Sequence, residues 1–176
     1  YGFRKVFASG FEAGVLGRLE LLGFGADPDA PLDRLDPPQW TAEVGPSICW
    51  RRGPVQPDLA VRKGVFGGHS GWVGEFSLSM PLEFERGYAV PYLSARYQGD
   101  DYLDHYFGVR LREGEAPSIP EYNPPDDATS YRLGIRGTYR LNDIWVLTGS
   151  ARLDFLDGAI ENSPLVDTDM TAAFSL

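Results

Sequence analysis

The sequence predicts an all-β fold: an antiparallel up-and-down transmembrane β-barrel of about eight to ten strands, forming one domain over residues 1–176. Three observations carry that expectation. Hydrophobicity alternates with a period of two, aromatic residues gather at the ends of the alternating stretches, and the connections between stretches alternate between short and long. A chain of 176 residues is sufficient for one domain with a sizeable core. It contains no apolar run of about 18 residues that would read as a membrane helix, and this says nothing against a barrel, whose strands are too short and too alternating to register.

The pattern is clearest in the C-terminal half. Tyr131, Leu133, Ile135, Gly137, Tyr139 and Leu141 share one face, opposed by Arg132, Gly134, Arg136, Thr138 and Arg140. Asn142-Asp143 makes a tight turn, after which Trp145, Leu147, Gly149, Ala151, Leu153 and Phe155 continue the apolar face against Val146, Thr148, Ser150, Arg152 and Asp154. Side chains alternate across a strand, so this is a β-hairpin with one apolar and one charged face. Upstream, Trp40 to Trp50 and Trp72 to Leu82 repeat the pattern, with Glu43 and Glu75 on the charged side. Weaker versions cover Ala13 to Leu21, Val55 to Lys63, Ala89 to Tyr97 and Met170 to Leu176. Pro46, Pro57 and Pro91 fall within these strands, where each removes a ladder donor, so bulges or strand ends are expected there.

A soluble barrel turns its apolar face inward and a membrane barrel turns it outward. Aromatic placement favours the second. Trp40 and Trp50 close the two ends of one stretch, as do Tyr131 and Tyr139, and Trp145 and Phe155; Trp72 opens another. A tilted ten-residue strand rises about 25 Å, the height of an outer-membrane apolar band. These seven residues are therefore expected to form two interfacial girdles. Arg96, Arg132, Arg136, Arg140, Arg152, Glu43, Glu75 and Asp154 are expected to line the lumen.

Connections are short at Arg52-Gly53-Pro54, Glu83 to Gly87 and Asn142-Asp143, and long at Phe24 to Gln39, Gly99 to Ala128 and Asp157 to Val166. Periplasmic turns are short and outer loops long, which places the C-terminus in the periplasm. Gly2 to Ser9 then reads as a descending first strand, giving nine. Bacterial barrels are normally even-numbered, so at least one N-terminal strand and a signal peptide are expected to precede Tyr1; the alternative is eight strands with Tyr1 to Gly10 outside the sheet.

The formal net charge of -9 argues against a nucleic-acid partner. The acids concentrate in the loops Phe24 to Gln39 and Gly99 to Ala128, which read as a solvated, irregular surface; their carboxylates could also hold divalent cations beside lipopolysaccharide phosphates.

His69 to Val109, ending Tyr102-Leu103-Asp104-His105-Tyr106-Phe107-Gly108-Val109, resembles the central block of the MltA-interacting protein family, also called MipA/OmpV. Tyr106-Phe107-Gly108-Val109 before a Pro-rich loop with Tyr122 is the most specific element; the hairpin from Tyr139 to Trp145 and Ser163-Pro164-Leu165-Val166 also match. The resemblance covers Trp40 to Leu176 well and the first forty residues only loosely. It implies a Gram-negative outer-membrane barrel. Some members are described as scaffolds joining a murein-cleaving transglycosylase to a murein synthase, others as porin-like or adhesive. The final residue departs from the pattern, being Leu176 where such barrels end in Phe or Trp.

No catalytic, cofactor-binding or metal-ligating residue is assigned, and no enzyme activity is expected. His69-Ser70 fails as a hydrolase dyad because adjacent strand residues point to opposite faces. His105, beside Asp104, reads as a polar loop residue; two histidines 36 positions apart are weak ligand spacing. Cys49 is expected to face the lumen as an inert thiol. Arg132, Arg136 and Arg140 read either as a ladder paired with acids on neighbouring strands or as an anion-selective constriction. The expected partners are outer-membrane lipid and lipopolysaccharide around a monomer and, by resemblance, a periplasmic murein enzyme complex. A soluble carrier with inverted faces is the remaining class, separable by detergent dependence.

Overall fold

A computed structural model describes residues 2–20, 40–109, 120–166 and 169–175. Ten strands form one antiparallel sheet: β1 (Gly2–Val6), β2 (Phe11–Glu20), β3 (Thr41–Trp50), β4 (Gln56–Gly67), β5 (Trp72–Ser79), β6 (Leu82–Phe84), β7 (Gly87–Gly99), β8 (Asp127–Arg140), β9 (Val146–Phe155) and β10 (Met170–Ser175). Their spatial order follows the chain, with the short β6 paired to β7 beside β5. This is the barrel-like up-and-down arrangement the alternation demands. The sheet is not closed: among the described residues β1 pairs only with β2, and β10 only with β9. Gly2–Val6 is a strand, which removes the eight-strand alternative.

Burial decides the orientation of the faces. Along β3 the odd residues Thr41, Glu43, Ser47 and Cys49 are buried, whereas Val44, Ile48 and Trp50 are exposed. Leu133 is 50% exposed and Leu147 46%, while Glu43 is 2% exposed and Arg62 5%. A soluble barrel requires the reverse, so the inverted soluble carrier is excluded by geometry.

The prolines break the ladder as their missing donors require. Pro57 stands at the start of β4. Pairing of β3 with β4 lapses over Gly45 and Pro46, although the register shift lies earlier in β3, between Ala42 and Glu43. Met80 N donates to Pro91 O at 3.0 Å, and Pro91 has no N–H to return; there the ladder stops, and β6 resumes in the same register after Pro81.

Tight turns join the strands at one end, including Gly53 with φ near +90° in the Arg52-Gly53-Pro54 turn. At the opposite, long-loop end two helices interrupt the connections: α1 (Asp100–Phe107) and α2 (Gly158–Glu161). The long loops are thus not a wholly irregular solvated surface. Tyr102, Leu103 and Tyr106 of α1 are buried and cluster with Val73, Ala128, Ala159 and Ile160, so the apolar core sits at the long-loop end. Residues 24–39, where a second acidic loop was expected, lie outside the described residues.

Candidate functional site

The charged face converges on Arg62. Its Nε donates to Glu43 Oε2 at 3.1 Å and its Nη2 to Glu75 Oε2 at 3.0 Å, tying β3, β4 and β5 together. The other carboxylate oxygen of Glu43 faces His69 Nε2 at 3.8 Å, with both side chains fully out of water. His69 Nδ1 accepts from Gly71 N at 3.1 Å, which leaves the proton of a neutral ring on Nε2, directed at Glu43. His69 is therefore buried, although it lies on the loop between β4 and β5.

Helix α1 lies over this network. Tyr106 donates its hydroxyl to Thr41 Oγ1 at 3.0 Å, and Arg96 Nη2 donates to Tyr102 Oη at 3.1 Å. Ser70 donates to Asp101 Oδ2 at 2.6 Å, so its hydroxyl is committed to a carboxylate. The rings of His69 and His105 lie 5.7 Å apart, a proximity that their 36-residue separation concealed. No group of three metal-ligating side chains assembles among the described residues. The seat is made by glycines: a Cβ on Gly68 would stand 1.9 Å from His105 Cε1, and one on Gly71 would stand 2.5 Å from Tyr102 N.

A second network occupies the short-turn end. Asp58 accepts from Arg4 at 3.2 Å and Arg51 at 3.1 Å, and Cys49, buried on the charged face, donates Sγ to Glu12 at 3.3 Å. Between β8 and β9, Asp154 is bound by Nε of Arg132 and, at 3.2 Å, by Nε of Arg152. Arg136 lies 5.9 Å from the Tyr92 ring centroid, and among the described residues neither it nor Arg140 forms an ion pair. The arginine ladder of β8 is thus paired at Arg132 alone. Beneath α1 and α2 lies a cavity of about 230 Å³ whose walls include Ser94, Arg96, Gln98, Tyr102, Ser130 and Arg132.

On the apolar face Trp40, Trp50, Trp72, Tyr131, Tyr139, Trp145 and Phe155 are all exposed. Trp40 stacks on Phe66 with ring centroids 4.9 Å apart, and Tyr131 and Phe155 are cross-strand partners at the long-loop end.

A family model described as MltA-interacting protein MipA matches residues 2–176. The chain belongs to this family. The MipA match reaches back through the first forty residues, where the resemblance was loose. The Escherichia coli (strain K12) protein YiaT is 27% identical over 150 residues, covering 83% of this chain and 59% of YiaT. Outer membrane protein OmpV of Vibrio cholerae is 37% identical over 79 residues, 45% of this chain and 30% of OmpV. The MltA-interacting protein of Escherichia coli (strain K12) is 27% identical over 86 residues, 49% of this chain and 34% of that protein. The chain thus spans less than two thirds of the length of these relatives. No solved structure matches. The MipA/OmpV chain is an outer-membrane protein with a strand-rich, barrel-like fold.

Proposed function

We propose that this protein is a non-catalytic platform, fixed in the outer membrane by its apolar face, that docks a periplasmic murein enzyme at its short-turn end. The observation that carries the reading is the bridged charged face: Arg62 cross-links three strands and α1 lies over them, which suits an anchor better than an open pore. The name of the MltA-interacting relative supplies the partner class. Exposed Phe7, Val55 and Ile144 on the tight turns supply apolar contact area, and a stable interface needs about 800 Å² per partner. In this reading the seven aromatics form the two interfacial girdles, lipid and lipopolysaccharide surround a monomer, and the eight charged residues line the interior. Membrane barrels leave no open edge, so the reading includes at least one further strand, N-terminal to β1, helping to join the β1 and β10 edges. The full chain used as bait in envelope extract should recover a murein hydrolase or synthase; bait that stays folded and recovers neither counts against the platform.

A narrow anion-favouring channel is the second reading. It is favoured by the arginine excess on β7 to β9. Steady anion-selective conductance in planar bilayers would support it, and silence would support the platform.

A further inference from the structure

The charged face is not uniform around the sheet. On β1 to β5 and the residue after β3, Arg4, Arg18, Arg51 and Arg62 are matched by Glu12, Glu43, Asp58 and Glu75. Along β7, β8, β9 and β10 the same face carries Arg96, Arg132, Arg136, Arg140 and Arg152 against Asp154 alone. Glu83 of β6 joins this side only at the short-turn end. A chain of net charge -9 therefore holds a cationic wall on one side of its interior.

The wall has a focus. Asp154 Oδ1 is taken by Nε of Arg132 and Oδ2 by Nε of Arg152, so two guanidinium charges share one carboxylate. Among the described residues the terminal Nη groups of both arginines make no hydrogen bond. These are the donors that form bidentate pairs with planar oxyanions. Arg132 and Asp154 also form part of the wall of the 230 Å³ cavity, where Gln98 and Ser130 add neutral donors and acceptors. The acid across that cavity, Glu75, is held by Arg62 at 3.0 Å.

We propose that Arg132 and Arg152, the two guanidinium groups on either side of Asp154, bind the oxyanion of a small solute, a carboxylate or a phosphate, on the charged face of β8 and β9 beside the cavity beneath α1 and α2, whose wall includes Arg132 and Asp154 but not Arg152. Asp154 orients the two forks and lowers their net charge to one, which keeps binding reversible. The site rests on the reading in which the charged face is the interior, and it serves either a platform or a channel.

The test is titration calorimetry on the full chain folded in detergent, at constant ionic strength, with inorganic phosphate, succinate and choline as separate probes. Phosphate or succinate should bind and choline should not. Arg132→Gln and Arg152→Gln should each weaken binding at least tenfold. Asp154→Asn should strengthen it several-fold, a sign that a misfolded variant would not produce. Arg51→Gln, in the other network, should leave it unchanged. No anion binding by a folded wild-type chain, equal affinity in Arg152→Gln, or equivalent heat from sodium chloride would overturn the site. Fold is read independently by strand-type circular dichroism and by heat-modifiable gel migration. A wild-type chain that folds without detergent overturns the barrel reading and this site together, whereas a detergent-folded barrel with no anion binding overturns the site alone.

Discussion

Arg62 and Glu43 meet at 3.1 Å with side chains 6% and 0% exposed, the most deeply buried ion pair among the described residues. A buried guanidinium is tolerable only when its donors are taken, and Arg62 spends one on Glu43 and another on Glu75. The pair thus stitches three consecutive strands on the face turned from the apolar surface. It also fixes the carboxylate that faces His69 and the loop on which α1 rests.

Glu43→Ala should therefore cost about 3 kcal/mol, the lower end for breaking a buried pair, since Glu75 remains as a partner. Urea unfolding of the vesicle-inserted chain, followed by tryptophan fluorescence, measures it. A change under about 0.5 kcal/mol would mean that water reaches Arg62 and that the interior is not sealed there.

The two faces of β8 and β9 should respond oppositely to charge. Leu133 lies mid-strand on the exposed apolar face, and an arginine there meets lipid at a cost of about 2–4 kcal/mol near the midplane. Ser150, on the charged face opposite Arg136, should accept glutamate with little loss of folding yield. Comparable yields for Leu133→Arg and Ser150→Glu on folding into lipid vesicles would remove the lipid-facing assignment.

Strand placement was legible because a two-residue period survives any tertiary context that keeps one face in lipid. Trp40 to Trp50 and Tyr131 to Leu141 were readable almost to their ends. Helix α1 was not readable. Its eight residues Asp-Asp-Tyr-Leu-Asp-His-Tyr-Phe span little more than two turns, and their acids suggested an exposed loop. What seats α1 is Gly68 against His105 and Gly71 against Tyr102, some thirty residues earlier, a pairing with no local signature. The meeting of His69 with Glu43 was hidden for the same reason. The arginines of β8 were found by parity, but their split into one paired and two unpaired positions depends on where Asp154 falls on β9.

The glycine seat carries its own expectation. Gly71→Ala puts a methyl 2.5 Å from Tyr102 N, a backbone atom that can yield only if α1 moves. The cost should be about 1–3 kcal/mol, confined to the long-loop end. Faster amide exchange in Tyr102–Phe107, with strand amides unchanged, is the expected signature; unchanged exchange in α1 would show that the helix does not rest on this loop.

Tyr122 gives the cap an alkaline limit. It pairs with Val109 through both backbone groups and donates its hydroxyl to Ala159 O at 2.7 Å, linking the α1 segment to α2. Burial first, and the Asp157 carboxylate second, push the phenol above its ordinary value. Asp157 is itself held as the α2 cap by Ala159 N and by Thr129 N at 3.0 Å, so its charge stays beside the ring. A raised folded value means that the neutral phenol's contribution is complete below about pH 10, where the unfolded chain's tyrosine begins to ionise. It is lost as pH rises through the folded value. Tyr122→Phe should therefore be less stable than wild type by about 1 kcal/mol at pH 8, and the gap should close above pH 10. Urea midpoints of both proteins across pH 8 to 11 check the sign, and a gap that widens with pH would place the ionised phenolate in the folded state.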